Sequence, residues 1–138
     1  MPSLPTGTVT FLFSDIEGST KIWEQHPDPM RLALAHHDTL LRQAIEANGG
    51  YVFKTVGDAF CAAFSTALTA LEASVTVQLS LSAVTWGETG PLRVRMALHS
   101  GAVEERDGDY FGQPVNRVAR LLSAAHARQI LLSLAAEE

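Results

Sequence analysis

The spacing of apolar positions changes along the chain, and these changes predict alternating strands and helices. Residues 8–14 form an unbroken run rich in Val, Thr, Phe and Leu, which predicts a buried strand that Gly18 ends, with a helix directly after it. After Pro27, apolar side chains recur at helical spacing until the Asn-Gly-Gly sequence at 48–50 stops the pattern. The periodic positions are Met30, Leu34, His37, Leu41, Ala44 and Ile45. A long amphipathic helix is expected here.

The second part of the chain predicts a hairpin and then helix, strand, helix and strand. The apolar runs 51–55 and 59–64 flank a short Val-Gly-Asp link, which is a hairpin signal. The other predicted elements are a helix over 65–84, a strand over 93–99, a charged turn at 104–108, a helix over 112–125 and a strand over 129–133. In the strand over 93–99, alternation places Val94, Met96 and Leu98 on one face and Arg93, Arg95 and Ala97 on the other. The simplest arrangement is a mixed sheet with helices on one face.

Composition narrows the class of protein. With 138 residues and 46% apolar content, the chain suits a single domain over 1–138 with its core at about 8–134. The net charge of -5 comes without a basic run, which argues against nucleic acid as a partner. No apolar run reaches the roughly 18 residues of a membrane span, and we expect no membrane association. The single cysteine, Cys61, allows no disulfide within the chain, and we expect a cytoplasmic protein.

Two aspartates carry the first sign of chemistry. Asp15 and Asp58 each lie where an apolar strand-like run gives way to a glycine-containing turn. Carboxylates at adjacent strand ends can bind hard cations such as Mg²⁺ and leave coordination positions open for phosphate. Taken singly, Asp15 also fits a helix cap and Asp58 a hairpin turn.

Three separated segments together resemble the class III nucleotidyl cyclase catalytic domain. They are Phe-Ser-Asp-Ile-Glu-Gly-Ser-Thr at 13–20, Phe-Lys-Thr-Val-Gly-Asp-Ala-Phe at 53–60, and Asp-Tyr-Phe-Gly-Gln-Pro-Val-Asn-Arg-Val-Ala-Arg at 109–120. Agreement of three patterns in order is far more specific than one motif. The resemblance implies an α+β fold, a ferredoxin-like sandwich that works as a dimer. It also implies the conversion of ATP into 3′,5′-cyclic AMP and pyrophosphate, an adenylate cyclase activity used in signal transduction.

The resemblance assigns a role to each matched residue. Two cations per active site, Mg²⁺ or Mn²⁺, would be held by Asp15, Asp58 and the Ile16 carbonyl. Phosphate oxygens would lie against the amides of Gly18, Ser19 and Thr20, where a helix begins. The remaining assignments are Lys54 and Asp109 to adenine, Asn116 to the ribose, and Arg120 to the charge that grows at the α-phosphate.

The same resemblance implies a homodimer with two shared sites. The metal-binding aspartates of one protomer would face the base-reading pair, the asparagine and the arginine of the other. Regulatory domains, fused or separate, stay open as further partners. The adjacent residues His36 and His37 point in different directions and cannot form a metal pair, so we interpret both as structural.

The chain departs from the family after its last predicted strand. The family continues with a helix and a β-hairpin, whereas this sequence stops at Glu138, so we expect the fold to lack these elements. Either the sequence is part of a longer one or the protein is a short relative. The alternative function is a catalytically incomplete nucleotide-binding or regulatory dimerisation module of the same fold. A guanylate cyclase is a third reading, against which Lys54 and Asp109 argue.

Overall fold

The computed structural model describes residues 4–126 and 129–133, and its centre is a five-stranded sheet. The strands within these residues are β1 (Thr8–Ile16), β2 (Tyr51–Val56), β3 (Ala59–Phe64), β4 (Val94–Ala102), β5 (Glu104–Arg106), β6 (Asp109–Phe111) and β7 (Ile130–Leu132). The sheet order is β2-β3-β1-β4-β7, and only the β4–β7 pair is parallel. The hairpin predicted on either side of the Val-Gly-Asp link is confirmed as β2–β3. The expected core limit near 134 lies outside the described residues.

Four α-helices and a short 3₁₀ helix, Gly87–Thr89, complete the described part of the fold. The α-helices are α1 (Ser19–Gln25), α2 (Pro27–Ala47), α3 (Ala67–Ser82) and α4 (Gln113–Ala124). Without α1, the order from β1 to β4 is strand, helix, two strands, helix, strand, which is the ferredoxin-like connection. The α+β sandwich expected from the sequence is therefore confirmed. No helix in the described ranges combines the length and hydropathy needed to cross a membrane.

Helices cover both faces of the sheet, so the expectation of helices on one face is wrong. On one face, Leu12 and Ile16 of β1 belong to the core formed with α2 and α3. On the other face, Phe11 packs in a second cluster with Val118 and Leu122 of α4. Both sets of β1 side chains are buried, and each face of such a strand needs an apolar cover. The unbroken apolar pattern of β1 alone indicated that both faces of the sheet are covered.

The segment predicted as a charged turn at 104–108 is instead part of a second hairpin. Asp107 and Gly108 both have positive φ angles, 53° and 80°, between the three-residue strands β5 and β6. This backbone suits a two-residue hairpin turn, for which Asp-Gly is a typical sequence. The hydroxyl of Tyr51 donates to the Gly108 carbonyl at 3.2 Å and ties the hairpin to β2. This tie sets the position of Asp109, the first residue of β6.

Candidate functional site

Asp15 and Asp58 lie at the same end of the sheet. Asp15 is the next-to-last residue of β1, and Asp58 lies in the turn between β2 and β3. Oδ2 of Asp58 accepts a hydrogen bond from the Ile16 N–H at 3.1 Å. Because β3 is the direct neighbour of β1, its turn reaches the end of β1. The fold thus brings together the two aspartates that the sequence singled out.

A cationic side chain already lies against one of these carboxylates. The Arg95 guanidinium donates from Nε to Oδ1 of Asp15 at 2.7 Å and from Nη2 to Oδ2 at 2.5 Å. The side chains are 26% and 21% exposed. The hydrogen bond with Asp15 is the main cause of a raised pKa of Arg95, partly opposed by burial and reinforced by the charges of Asp15, Glu17 and Asp58. Arg95 therefore stays charged and offsets the acidic residues around it.

The donor atoms at this end of the sheet suit a hard divalent cation. Two carboxylates and the Ile16 carbonyl offer only oxygen, which Mg²⁺ and Mn²⁺ prefer. Within residues 4–126 and 129–133, no three His, Cys, Asp or Glu side chains are grouped as a metal centre. Because these cations take six or more oxygen ligands, a cation held by two carboxylates and one carbonyl would keep coordination positions for oxygens from outside the protein. The guanidinium against Asp15 shows that positive charge fits this position.

The residues proposed to contact phosphate follow directly along the chain. Gly18 precedes α1 in the left-handed conformation, with φ 70° and ψ 23°, and supplies no side chain to cap the helix. Ser19 and Thr20 begin α1. The Glu17 N–H donates to the Arg93 carbonyl at 2.7 Å, which holds the start of this turn against β4. All three residues lie just beyond the aspartate pair, at the same end of β1.

Lys54 and Asp109 form an ion pair, although 55 positions separate them. Nζ of Lys54 lies 3.0 Å from Oδ2 of Asp109, and the side chains are 46% and 28% exposed. Partial burial raises the pKa of Asp109, but the Tyr110 N–H and Lys54 together outweigh it, so the net shift is downward. The Lys54 ammonium and the Asp109 carboxylate thus lie side by side and are both partly exposed. A ligand can reach either group and replace its partner in the ion pair.

Asn116 and Arg120 lie one turn apart on the exposed face of α4. They line an open groove with Gln113, Arg117 and Ala119. Within the described ranges, neither side chain makes a hydrogen bond or ion pair. The structure confirms that they share a helix face and leaves both available to a partner or ligand.

The family model of the adenylate and guanylate cyclase catalytic domain matches residues 1–138. The chain belongs to this family. The aspartate pair, the ion pair and the polar face of α4 are therefore candidate site residues of a cyclase domain. The expected family resemblance is confirmed over the whole chain.

Named relatives and solved structures of cyclases agree with this placement. An uncharacterised protein of Mycobacterium tuberculosis is 41% identical over 133 residues, which are 95% of this chain and 44% of that protein. The adenylate cyclase of Neurospora crassa is 36% identical over 94% of this chain and 7% of its own length. A Trypanosoma brucei adenylate cyclase structure, solved in the monomeric state, has a TM-score of 0.88 at 30% identity and covers 98% of this chain and 77% of that one. The chain thus spans less than half of the curated relatives that it matches.

Arg95 is the residue of this cyclase domain that sequence reasoning missed as a site residue. Alternation placed it correctly on the face away from Met96, but nothing in the sequence paired it with Asp15, 80 positions earlier. The pairing follows from the β1–β4 register, in which Asp15 and Arg95 lie opposite each other. An arginine within an otherwise apolar strand was the available signal, because a buried charge needs a partner.

Two buried polar side chains lie behind the aspartate pair. Ser14, which precedes Asp15, and His37 of α2 are almost fully buried. Among the residues that the structure describes, Ser14 Oγ and His37 Nε2 have no hydrogen-bond partner. Both lie beside Phe60: Ser14 is its strand partner, and the His37 ring packs edge-on against it at 5.8 Å between centroids. Burial lowers the pKa of His37, while Asp38, which bonds Nδ1 at 2.8 Å, and the charge of Asp58 act in the opposite direction. His37 is thus a packing residue of the core.

Replacing His37 by glutamine is expected to flatten the dependence of stability on pH. A histidine whose folded pKa is depressed stabilises the fold above its unfolded pKa of about 6.5, and this contribution is lost as pH falls through the folded pKa. Urea unfolding of the wild type should therefore shift to lower denaturant as pH falls from about 8 to about 5.5, and less so in the variant. His36→Gln, a change at the exposed neighbour, is the control and should keep the wild-type slope. A variant slope equal to that of the wild type would contradict this role of His37.

Proposed function

We propose that this cyclase domain is an adenylate cyclase that converts ATP into 3′,5′-cyclic AMP and pyrophosphate at sites shared by a homodimer. The observation that carries the proposal is the hydrogen bond from the Ile16 N–H to the Asp58 carboxylate, which unites two separated motifs at one sheet end. The similarity to enzymes named adenylate cyclase supports the choice of reaction. The Lys54–Asp109 pair supports the choice of base.

The ligands of the metal ions would all be oxygen atoms. Asp15, Asp58 and the Ile16 carbonyl would hold two Mg²⁺ or Mn²⁺ ions. Bound there, the ions would lower the pKa of the ribose 3′-hydroxyl and stabilise charge on the departing pyrophosphate. The amides of Gly18, Ser19 and Thr20 would hold phosphate oxygens beside these residues.

The remaining residues would orient the nucleotide. Adenine offers an acceptor at N1 and a donor at N6, which match the Lys54 ammonium and the Asp109 carboxylate. Asn116 would position the ribose, and Arg120 would stabilise the negative charge that develops at the α-phosphate. These two side chains are exposed on α4, where a second protomer can reach them. The shared-site arrangement thus makes use of groups that have no partner within the described chain.

The test is cyclic AMP formation from ATP with Mn²⁺, measured over a range of protein concentrations. A rate per protomer that rises with concentration would support a dimeric enzyme, because only paired chains complete the site. A rate per protomer that is constant down to concentrations where the protein is monomeric would contradict shared sites. ATP binding without any cyclic product would instead support the alternative, a nucleotide-binding or regulatory dimerisation module.

Exchanging the base-reading pair is expected to move preference from ATP toward GTP. Guanine presents a donor at N1 and an acceptor at O6, so Lys54→Glu combined with Asp109→Cys replaces two matched contacts with groups suited to guanine. Leaving a buried polar group unpaired costs about 1–3 kcal/mol, so the ratio of ATP to GTP turnover should fall about tenfold or more. The ratio is measured as kcat/KM for each nucleotide. Each single variant is the control and should lose ATP activity without gaining GTP activity; an unchanged ratio in the double variant would contradict the base assignment.

A further inference from the structure

Arg95 is a charged partner of the candidate metal site, yet none of the roles proposed above involves it. Its two nitrogen donors engage both oxygens of Asp15, at 2.7 and 2.5 Å. A bidentate arginine–carboxylate pair is the strongest common form of such a contact. Both Asp15 oxygens that a metal ion would use are therefore bonded to the guanidinium.

The backbone keeps the two residues opposite each other. Asp15 and Arg95 are register partners in the antiparallel β1–β4 pair, near the end of the central strand β1. The strands cannot move apart without loss of the core, so the ion pair opens only when the side chains rotate. About a quarter of each side chain is exposed, which leaves room for that rotation toward solvent.

Electrostatics favour a cation at this position at all times. Arg95 is affected by the charges of Glu17 and Asp58 in addition to Asp15. Without a cation there, the negative charges of Asp15 and Asp58 at this end of the sheet would lack a compensating charge, which is unfavourable. The arginine thus supplies in the metal-free protein the positive charge that a divalent ion would supply in the loaded one.

We propose that Arg95 competes with the metal ion for Asp15, so that binding of the ion requires the guanidinium to leave this carboxylate first. The proposal rests on the assignment of Asp15 and Asp58 as metal ligands. Its consequence is that the metal-free site resists divalent cations when no nucleotide is present. Arg95 is in this sense a positioning residue that sets the affinity for metal.

The experiment measures Mn²⁺ binding alone, without nucleotide, by calorimetry and by the electron paramagnetic resonance signal of the free ion. Arg95→Gln removes the competing charge and should bind Mn²⁺ about tenfold more tightly than the wild type. Arg95→Lys keeps the charge but cannot form the bidentate pair, and its affinity should lie between the two. Arg93→Gln is the matched control, because it removes the same charge from an exposed position two residues earlier, just before β4, and should bind like the wild type.

The outcomes separate this inference from the proposed function. Equal affinity in the wild type, Arg95→Gln and Arg95→Lys, lost in Asp58→Asn, would overturn the competition and leave the metal assignment intact. Absence of binding in every variant would overturn both. Equal tightening in Arg93→Gln and Arg95→Gln would also overturn the competition, since a general charge effect would then account for it. If thermal melting shows that Arg95→Gln does not fold, the affinity of Arg95→Lys decides the question. A structure of the Mn²⁺ complex in which both oxygens of Asp15 still contact Arg95 would also contradict the inference.

Discussion

Replacing Asp58 by asparagine is expected to lower cyclic AMP formation by about three orders of magnitude. A metal ion stabilises the transition state of such a reaction by several kcal/mol, and each 1.36 kcal/mol is a tenfold change in rate. Asparagine keeps an amide oxygen that can accept the Ile16 N–H, so the change removes charge while it preserves the observed hydrogen bond. The rate is measured with saturating ATP and Mn²⁺, at a protein concentration where the wild type is fully active.

The control for this prediction is Asp28→Asn. Asp28 is an exposed residue whose ion pair with Arg31 lies on the surface of α2, so it undergoes the same chemical change away from the site. It should keep the wild-type rate and the wild-type denaturation midpoint. Should Asp58→Asn retain most of the activity, Asp58 would be a turn residue that caps the end of β1, the reading that its position also allows.

The sequence was sufficient for elements whose pattern is local. The unbroken apolar run of β1, the periodic face of α2 and the Val-Gly-Asp link each predict their own element, and the structure has all three. The side of the sheet on which α4 packs was predicted wrongly, because it depends on which face of β1 remains uncovered once α2 and α3 are in place. The β5–β6 hairpin was missed because two three-residue strands give too short a pattern.

The candidate site divides in the same way. Asp15, Asp58, Lys54 and Asp109 were named from motifs. The structure joins Lys54 to Asp109 in an ion pair and bonds Asp58 to the backbone of Ile16, the residue after Asp15. Arg95 required the β1–β4 register, a long-range property that no motif encodes. A shared site would likewise depend on contacts between two protomers, which a motif within one chain does not encode.

Replacing Arg120 by alanine is expected to slow cyclic AMP formation by about 10²-fold while stability stays near that of the wild type. The arginine would stabilise charge that develops only in the transition state, and the loss of one such preorganised group costs on the order of 10² in rate. Arg120 is exposed and has no ion pair within the described residues, so its removal leaves the fold intact. Arg117→Ala is the control, because Arg117 is an exposed arginine on the same helix, and it should remain active. The measurement is kcat together with the urea denaturation midpoint.

Mixing Arg120→Ala with Asp58→Asn then tests whether the site is shared. In a mixed dimer, one site combines both substitutions and the other combines the intact aspartate of one protomer with the intact arginine of its partner. Random pairing puts half of the dimers in the mixed form, so activity should recover to about a quarter of the wild-type rate. Recovery at that level requires residues from two chains in one site. No recovery, although the two variants form dimers with each other, would place Asp58 and Arg120 in the same protomer's site and would remove the basis for a shared active site.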